Sequence, residues 1–86
     1  MKRKTILIDR EKTHGDFADN AMVSQRIKSV IREAYISSPV FRESLDMIAL
    51  KIGRICSGQH DFRDHWEDIA GYAELAAEMC GKRKNG

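Results

Sequence analysis

The sequence predicts an all-α fold, a small helical bundle of three main helices preceded by an extended N-terminal arm. Three observations lead there: apolar residues recur at helical spacing in three successive segments, start and stop residues bound each segment, and no pair of segments alternates like strands. Eighty-six residues make one domain with a single small core. Chains this short often gain burial by associating, so completion by oligomerisation, with a homo-oligomer as the working form, is expected.

Residues 39–56 form the centre. Ser37-Ser38-Pro39 is a start signal, with Ser38 as cap and Pro39 at the first helical position. Phe41, Leu45, Ile48, Ile52 and Ile55 then draw one apolar stripe, while Met47 and Leu50 lie on the far side. A helix apolar on two faces is usually sandwiched between others. On the second face stand Glu43 and Asp46, three residues apart and therefore neighbours.

Residues 1–15 read as an arm and a turn, 16–81 as the helical domain, and 82–86 as a basic tail. Asp16 can cap a first helix whose apolar positions are Phe17, Ala21, Val23, Ile27, Val30, Ile31 and Ala34. It should end near residues 35–38, because the residue before Pro39 avoids the helical region. Gly58 is expected to stop the central helix in a left-handed conformation. A third helix is expected from Asp61 as cap to residue 79 or 80, with Gly81 as its stop and Phe62, Trp66, Ile69, Ala73, Ala76 and Cys80 as its stripe. Within it, Ala70, Ala73, Ala76 and Ala77 are small enough for close packing, and Gly71 costs about 1 kcal/mol relative to Ala.

The formal charge of +2 is polarised, with Lys2, Arg3 and Lys4 opening the chain and Lys82, Arg83 and Lys84 closing it. Solvated ends explain both tails; a foothold on nucleic acid is the lesser reading, because no helix has a dense basic face. Cys56 and Cys80 form neither a CxxC nor a disulfide framework, which suits a reducing compartment. The short run Ile6-Leu7-Ile8 is neither a signal-peptide core nor a membrane span. A soluble cytoplasmic protein without membrane contact is expected.

Acids are the first candidate for chemistry. Asp61, Asp64 and Asp68 follow one flank of the third helix. If that flank met the second face of the central helix, Glu43, Asp46, Asp64 and Asp68 would gather at the edge of the core, a donor set suited to Mg²⁺. The plain alternative has these acids favouring helix starts and pairing with Arg42, Arg54 or Arg63. A zinc site from Cys56, His60, His65 and Cys80 lacks standard spacing, and packing of both cysteines in the core is the expectation. His14, Asp16, Asn20 and Gln25 open the first helix, where Asn20 or Gln25 could read a nucleotide; Asp16 as a plain cap with the others as surface residues is the leading account. Trp66 and Tyr72 are expected as core anchors rather than stacking platforms.

Three segments carry a resemblance: His14-Gly15-Asp16-Phe17-x-x-Asn20, Leu45-Asp46-Met47-x-x-Leu50-Lys51-Ile52-x-Arg54, and Asp64-x-Trp66-x-Asp68-Ile69-Ala70-Gly71-Tyr72-Ala73. Together they look like a family of small phage and prophage proteins over about residues 10–79, itself distantly similar to the MazG-like all-helical nucleoside triphosphate pyrophosphohydrolases. The resemblance implies Mg²⁺ held by acids of two adjacent helices, water attack on a nucleoside triphosphate, release of pyrophosphate, and work as a dimer or higher oligomer. Where those enzymes carry Glu-Glu-x-x-Glu, this chain has Arg42-Glu43-Ser44-Leu45-Asp46; where they carry Glu-x-x-Asp, it has His65-Trp66-Glu67-Asp68, with Asp64 one turn back. The implied metal residues are Glu43, Asp46, Asp64 and Asp68, and the implied substrate residues are Asn20, Gln25, Arg42 and Lys51. Arg42 stands where a metal ligand is expected and would instead suit phosphate. The rival expectation is a non-enzymatic helical protein that inhibits or sequesters a host or defence protein in the host cytoplasm.

Overall fold

The computed structural model describes residues 13–84, with their side chains as far as Cys80. Most of the arm and the last two residues of the tail lie outside the described residues. Three helices follow in order: α1 (Phe17–Glu33), α2 (Pro39–Ser57) and α3 (Arg63–Lys84). The fold is all-α. None of the described helices is long and apolar enough to cross a membrane.

Helix α2 packs against α1 on one side and α3 on the other, and α1 and α3 make no contact with each other. The two-faced apolar pattern of α2 is thereby explained. Leu50, Gly53 and Arg54 turn towards α1, whereas Lys51 turns towards α3. Because none of the described helices closes the remaining sides, Leu45, Ile48, Ile52 and Ile55 stay partly exposed, and Ala49 is the one fully buried hydrophobic side chain among the described residues. Asn20, Ser24, Ser44 and His65 complete a small and mainly polar centre.

Several boundaries differ from expectation. Asp16 and Ser38 occupy the cap positions of α1 and α2, but neither side chain makes a cap hydrogen bond. Helix α1 stops at Glu33, and the chain turns through Tyr35, which is left-handed at φ 59°. Gly58 is not left-handed: its φ is −120°, and a Cβ there would lie 2.5 Å from the Thr13 carbonyl oxygen. Glycine is needed at that site for close approach. Helix α3 starts at Arg63, two residues past Asp61, and runs through Gly81 to Lys84, so residues 82–84 are helical rather than part of a tail.

The inward stripe of α3 is Phe62, His65, Ile69, Tyr72, Ala76 and Met79, all partly or fully buried. Trp66 stands about 100° from His65 around the helix and is 53% exposed, so it is no core anchor. Phe17 (81%) and Val30 (66%) are exposed as well. Cys56 and Cys80 are exposed rather than packed in the core.

Candidate functional site

Small residues set the distance between α1 and α2. A Cβ on Gly53 would stand 2.7 Å from the backbone oxygen of Asn20 and 3.4 Å from Ser24 Cβ, so the helices meet backbone to backbone. Asn20 is fixed there, since Ser57 Oγ lies 2.7 Å from Asn20 Oδ1 and also bonds the Gly53 carbonyl, sharing its one proton. Ser24 is 2% exposed, and its Oγ has no hydrogen-bond partner. A serine inside a helix can return its hydroxyl to the carbonyl four residues back; this one does not. An unmet buried hydroxyl costs about 1–3 kcal/mol.

Residues 13–16 cross the end of α2 and tie it to the start of α3. The Thr13 carbonyl accepts from Gln59 N (3.2 Å) and from His65 Nε2 (3.1 Å), which puts the proton of a neutral His65 ring on Nε2. His65 is 1% exposed and stacks edgewise on His14 at 4.7 Å and Phe62 at 4.9 Å. His14 Nδ1 stands 2.6 Å from Thr13 Oγ1. Gly15, at φ 78°, rests against the Ser57 carbonyl with no room for a side chain.

Between α1 and α2, next to this crossing, opens a cleft of about 460 Å³. That volume falls in the usual range of small-molecule sites, roughly 300–1,000 Å³. Phe17, Asn20, Ser24 and Lys28 line it from one edge of α1, with Ala21 and Gln25 beside them. Leu50 and Arg54 face them from α2, and His14 and Gly15 close one end. Among the described residues no carboxylate lines the cleft, whereas both facing helices bring a cation. Neither Lys28 nor Arg54 forms a salt bridge among the described residues, although the field of Arg54 reaches Asp68.

The acids take different places. Lys51 Nζ meets Asp68 Oδ2 at 2.7 Å on the α3 side of α2. Asp46 precedes Lys51 by five residues, which turns it about 140° around α2, and Glu43 is exposed. The flank of α3 therefore meets the opposite face of α2 from the one that carries Glu43 and Asp46. Asp64 is exposed, and no group of three or more His, Cys, Asp or Glu among the described residues is placed to hold a metal. Of the zinc candidates, His65 is buried, whereas Cys56, His60 and Cys80 are exposed. Arg42 is partly buried and away from the cleft, and Lys51 is engaged with Asp68, so Asn20 and Gln25 are the expected substrate residues that line it.

The hydrogen bond from Lys51 holds the Asp68 carboxyl below its ordinary range; desolvation opposes this, and the fields of Lys51, His65 and Arg54 add to the lowering. A carboxyl depressed in the folded state stabilises above its unfolded pKa, about 3.9, and that contribution fades as pH falls through the folded value. Asp68→Asn should therefore unfold at lower temperature than the unchanged chain at neutral pH, with the gap closing below about pH 4. Melting curves across pH check this; a gap that widened in acid would contradict the pairing. The outer pair Arg63–Glu67, 2.7 Å apart, is solvent-exposed and contributes little.

The model of the family described as Domain of unknown function (DUF6378) matches residues 2–80. The chain belongs to the DUF6378 family. The match spans all of α1 and α2 and most of α3, so every residue of the cleft lies within the DUF6378 region. No curated protein matches the chain. No solved structure matches it either.

Proposed function

We propose that this DUF6378 chain is a phage-type, nucleotide-handling helical protein of the MazG-like sort, which takes its ligand into the α1–α2 cleft. One observation carries the reading: a small-molecule-sized cleft with no carboxylate among its described lining residues, in which Lys28 and Arg54 supply positive charge beside the amides of Asn20 and Gln25. Cations suit phosphates, and amides suit the donor and acceptor edges of a base. The resemblance adds Mg²⁺-dependent hydrolysis of a nucleoside triphosphate to monophosphate and pyrophosphate. Its implied ligands fit a shared ion poorly within one chain, because Glu43 and Asp46 are turned away from the side of α2 on which Asp68 meets Lys51.

That placement favours a second reading, in which the protein binds without turnover and acts by sequestering a ligand or a host or defence protein. The partly exposed stripe of α2 supports a homo-oligomer in either case. One experiment separates the readings: purified protein with Mg²⁺ or Mn²⁺ is given each standard ribo- and deoxyribonucleoside triphosphate, and pyrophosphate and binding are both measured. Pyrophosphate release that Asp46→Asn and Asp68→Asn abolish supports the hydrolase. Saturable binding without release supports the sequestering protein, and neither binding nor release refutes the nucleotide reading.

A further inference from the structure

We infer that the α1–α2 cleft anchors a phosphoryl group directly, between Lys28 and Arg54 with the Ser24 hydroxyl beneath, and without a divalent cation. This deepens the cleft reading and rests on the cleft being a ligand site, but it does not require hydrolysis.

Three observations converge. Lys28 and Arg54 belong to facing helices and line one cavity, so an anion between them is attracted from both sides. Among the described residues the same walls hold no carboxylate, the usual donor by which a divalent ion bridges protein and phosphate. Ser24 lines the cavity, is 2% exposed, and has an Oγ with no partner among the described residues, so an acceptor oxygen towards which the buried hydroxyl turns would complete its hydrogen bonding. A hydroxyl that donates to a charged oxygen makes one of the stronger kinds of hydrogen bond. Gly53 permits this depth, since a side chain at that position would run into the backbone of Asn20 and crowd Ser24.

The phosphoryl group could come from free phosphate, pyrophosphate or a nucleotide, and the test separates them. Titration calorimetry at low salt, with EDTA present, would compare inorganic phosphate, pyrophosphate and ATP. Binding of at least one of them should persist in EDTA and weaken as salt rises. A preference for ATP would mark the nucleotide as the source, and equal affinity for phosphate would mark the free anion. Lys28→Met and Arg54→Met should each weaken binding by about tenfold or more, the usual effect of losing a hydrogen bond to a charged group, while Lys28→Arg restores most of it. Ser24→Ala should weaken binding several-fold with no fall in unfolding temperature, because its hydroxyl supports nothing in the unliganded protein. A structural role for Ser24 would show the reverse, lower stability with unchanged binding. Binding lost in EDTA, or unaffected by both Met variants, overturns the inference. Pyrophosphate release that survives both Met variants would overturn the anchor and leave hydrolysis standing; EDTA-resistant binding, with no release once Mg²⁺ is supplied in excess, would do the opposite.

Discussion

Gly53→Ala should lower the unfolding temperature, whereas Gly71→Ala, the same change on another helix, should raise it. Both substitutions gain about 1 kcal/mol of helix propensity. They differ in what the new methyl meets. At Gly71 there is nothing within 4 Å; at Gly53 the methyl would lie 2.7 Å from the Asn20 backbone oxygen, closer than real contacts allow. Backbone cannot swing aside like a side chain, so α1 as a whole must move away from α2. Overpacking of this kind costs about 1–3 kcal/mol, and in a domain of this size each kcal/mol shifts the midpoint by about 4–8 °C. Thermal unfolding of the two variants should therefore show a gap of several degrees, with Gly53→Ala the lower. The shift of α1 would also carry Ser24 and Lys28 away from Arg54, so affinity in the cleft should fall with stability. Equal midpoints would mean that the close crossing of α1 and α2 does not hold in solution.

Much of this architecture was legible in the sequence for a physical reason: a helix flanked by two others needs apolar or small residues on two faces, and α2 shows both in its spacing. What hydrophobic periodicity could not convey was polar burial. The inward stripe of α3 passes through His65, whereas a count of apolar residues follows Trp66, about 100° away around the helix. Nor does periodicity explain Gly53, whose reason is the close approach of Asn20 and Ser24. The candidate site was legible in part. Asn20 and Gln25, singled out at the start of the first helix, both line the cleft, but its charge comes from Lys28, which lies off the apolar stripe, and from Arg54, which reads as a partner for the acids. Their signal was present, since Phe17, Asn20, Ser24 and Lys28 share one helical edge. Nothing in the sequence said that this edge would face Arg54. For the acids the limit is of another kind: spacing along each helix gives the side on which each lies, but cannot say which face of α2 meets α3.

Gly15→Ala should be the more damaging glycine substitution, because two independent costs coincide. At φ 78° an L side chain is strained by roughly 1–2 kcal/mol, and the added methyl would fall on the Ser57 carbonyl and 2.8 Å from Gly58 N. The chain can escape only by lifting residues 13–16 off the end of α2. That movement withdraws the Thr13 carbonyl from His65 Nε2 and Gln59 N together, and leaves His65, at 1% exposure, with an unmet donor inside the protein. Gly58, which needs its closeness to Thr13 more than any unusual φ, would lose its packing at the same time. The expected result is a loss of about 2–4 kcal/mol in denaturant unfolding, with faster hydrogen exchange at the Gln59 amide, whose acceptor is the displaced carbonyl. Because His14 and Gly15 close one end of the cleft, ligand affinity should fall as well. Unchanged exchange at Gln59 with a clear loss of stability would place the strain elsewhere, and unchanged stability would show that residues 13–16 do not clamp α2 to α3.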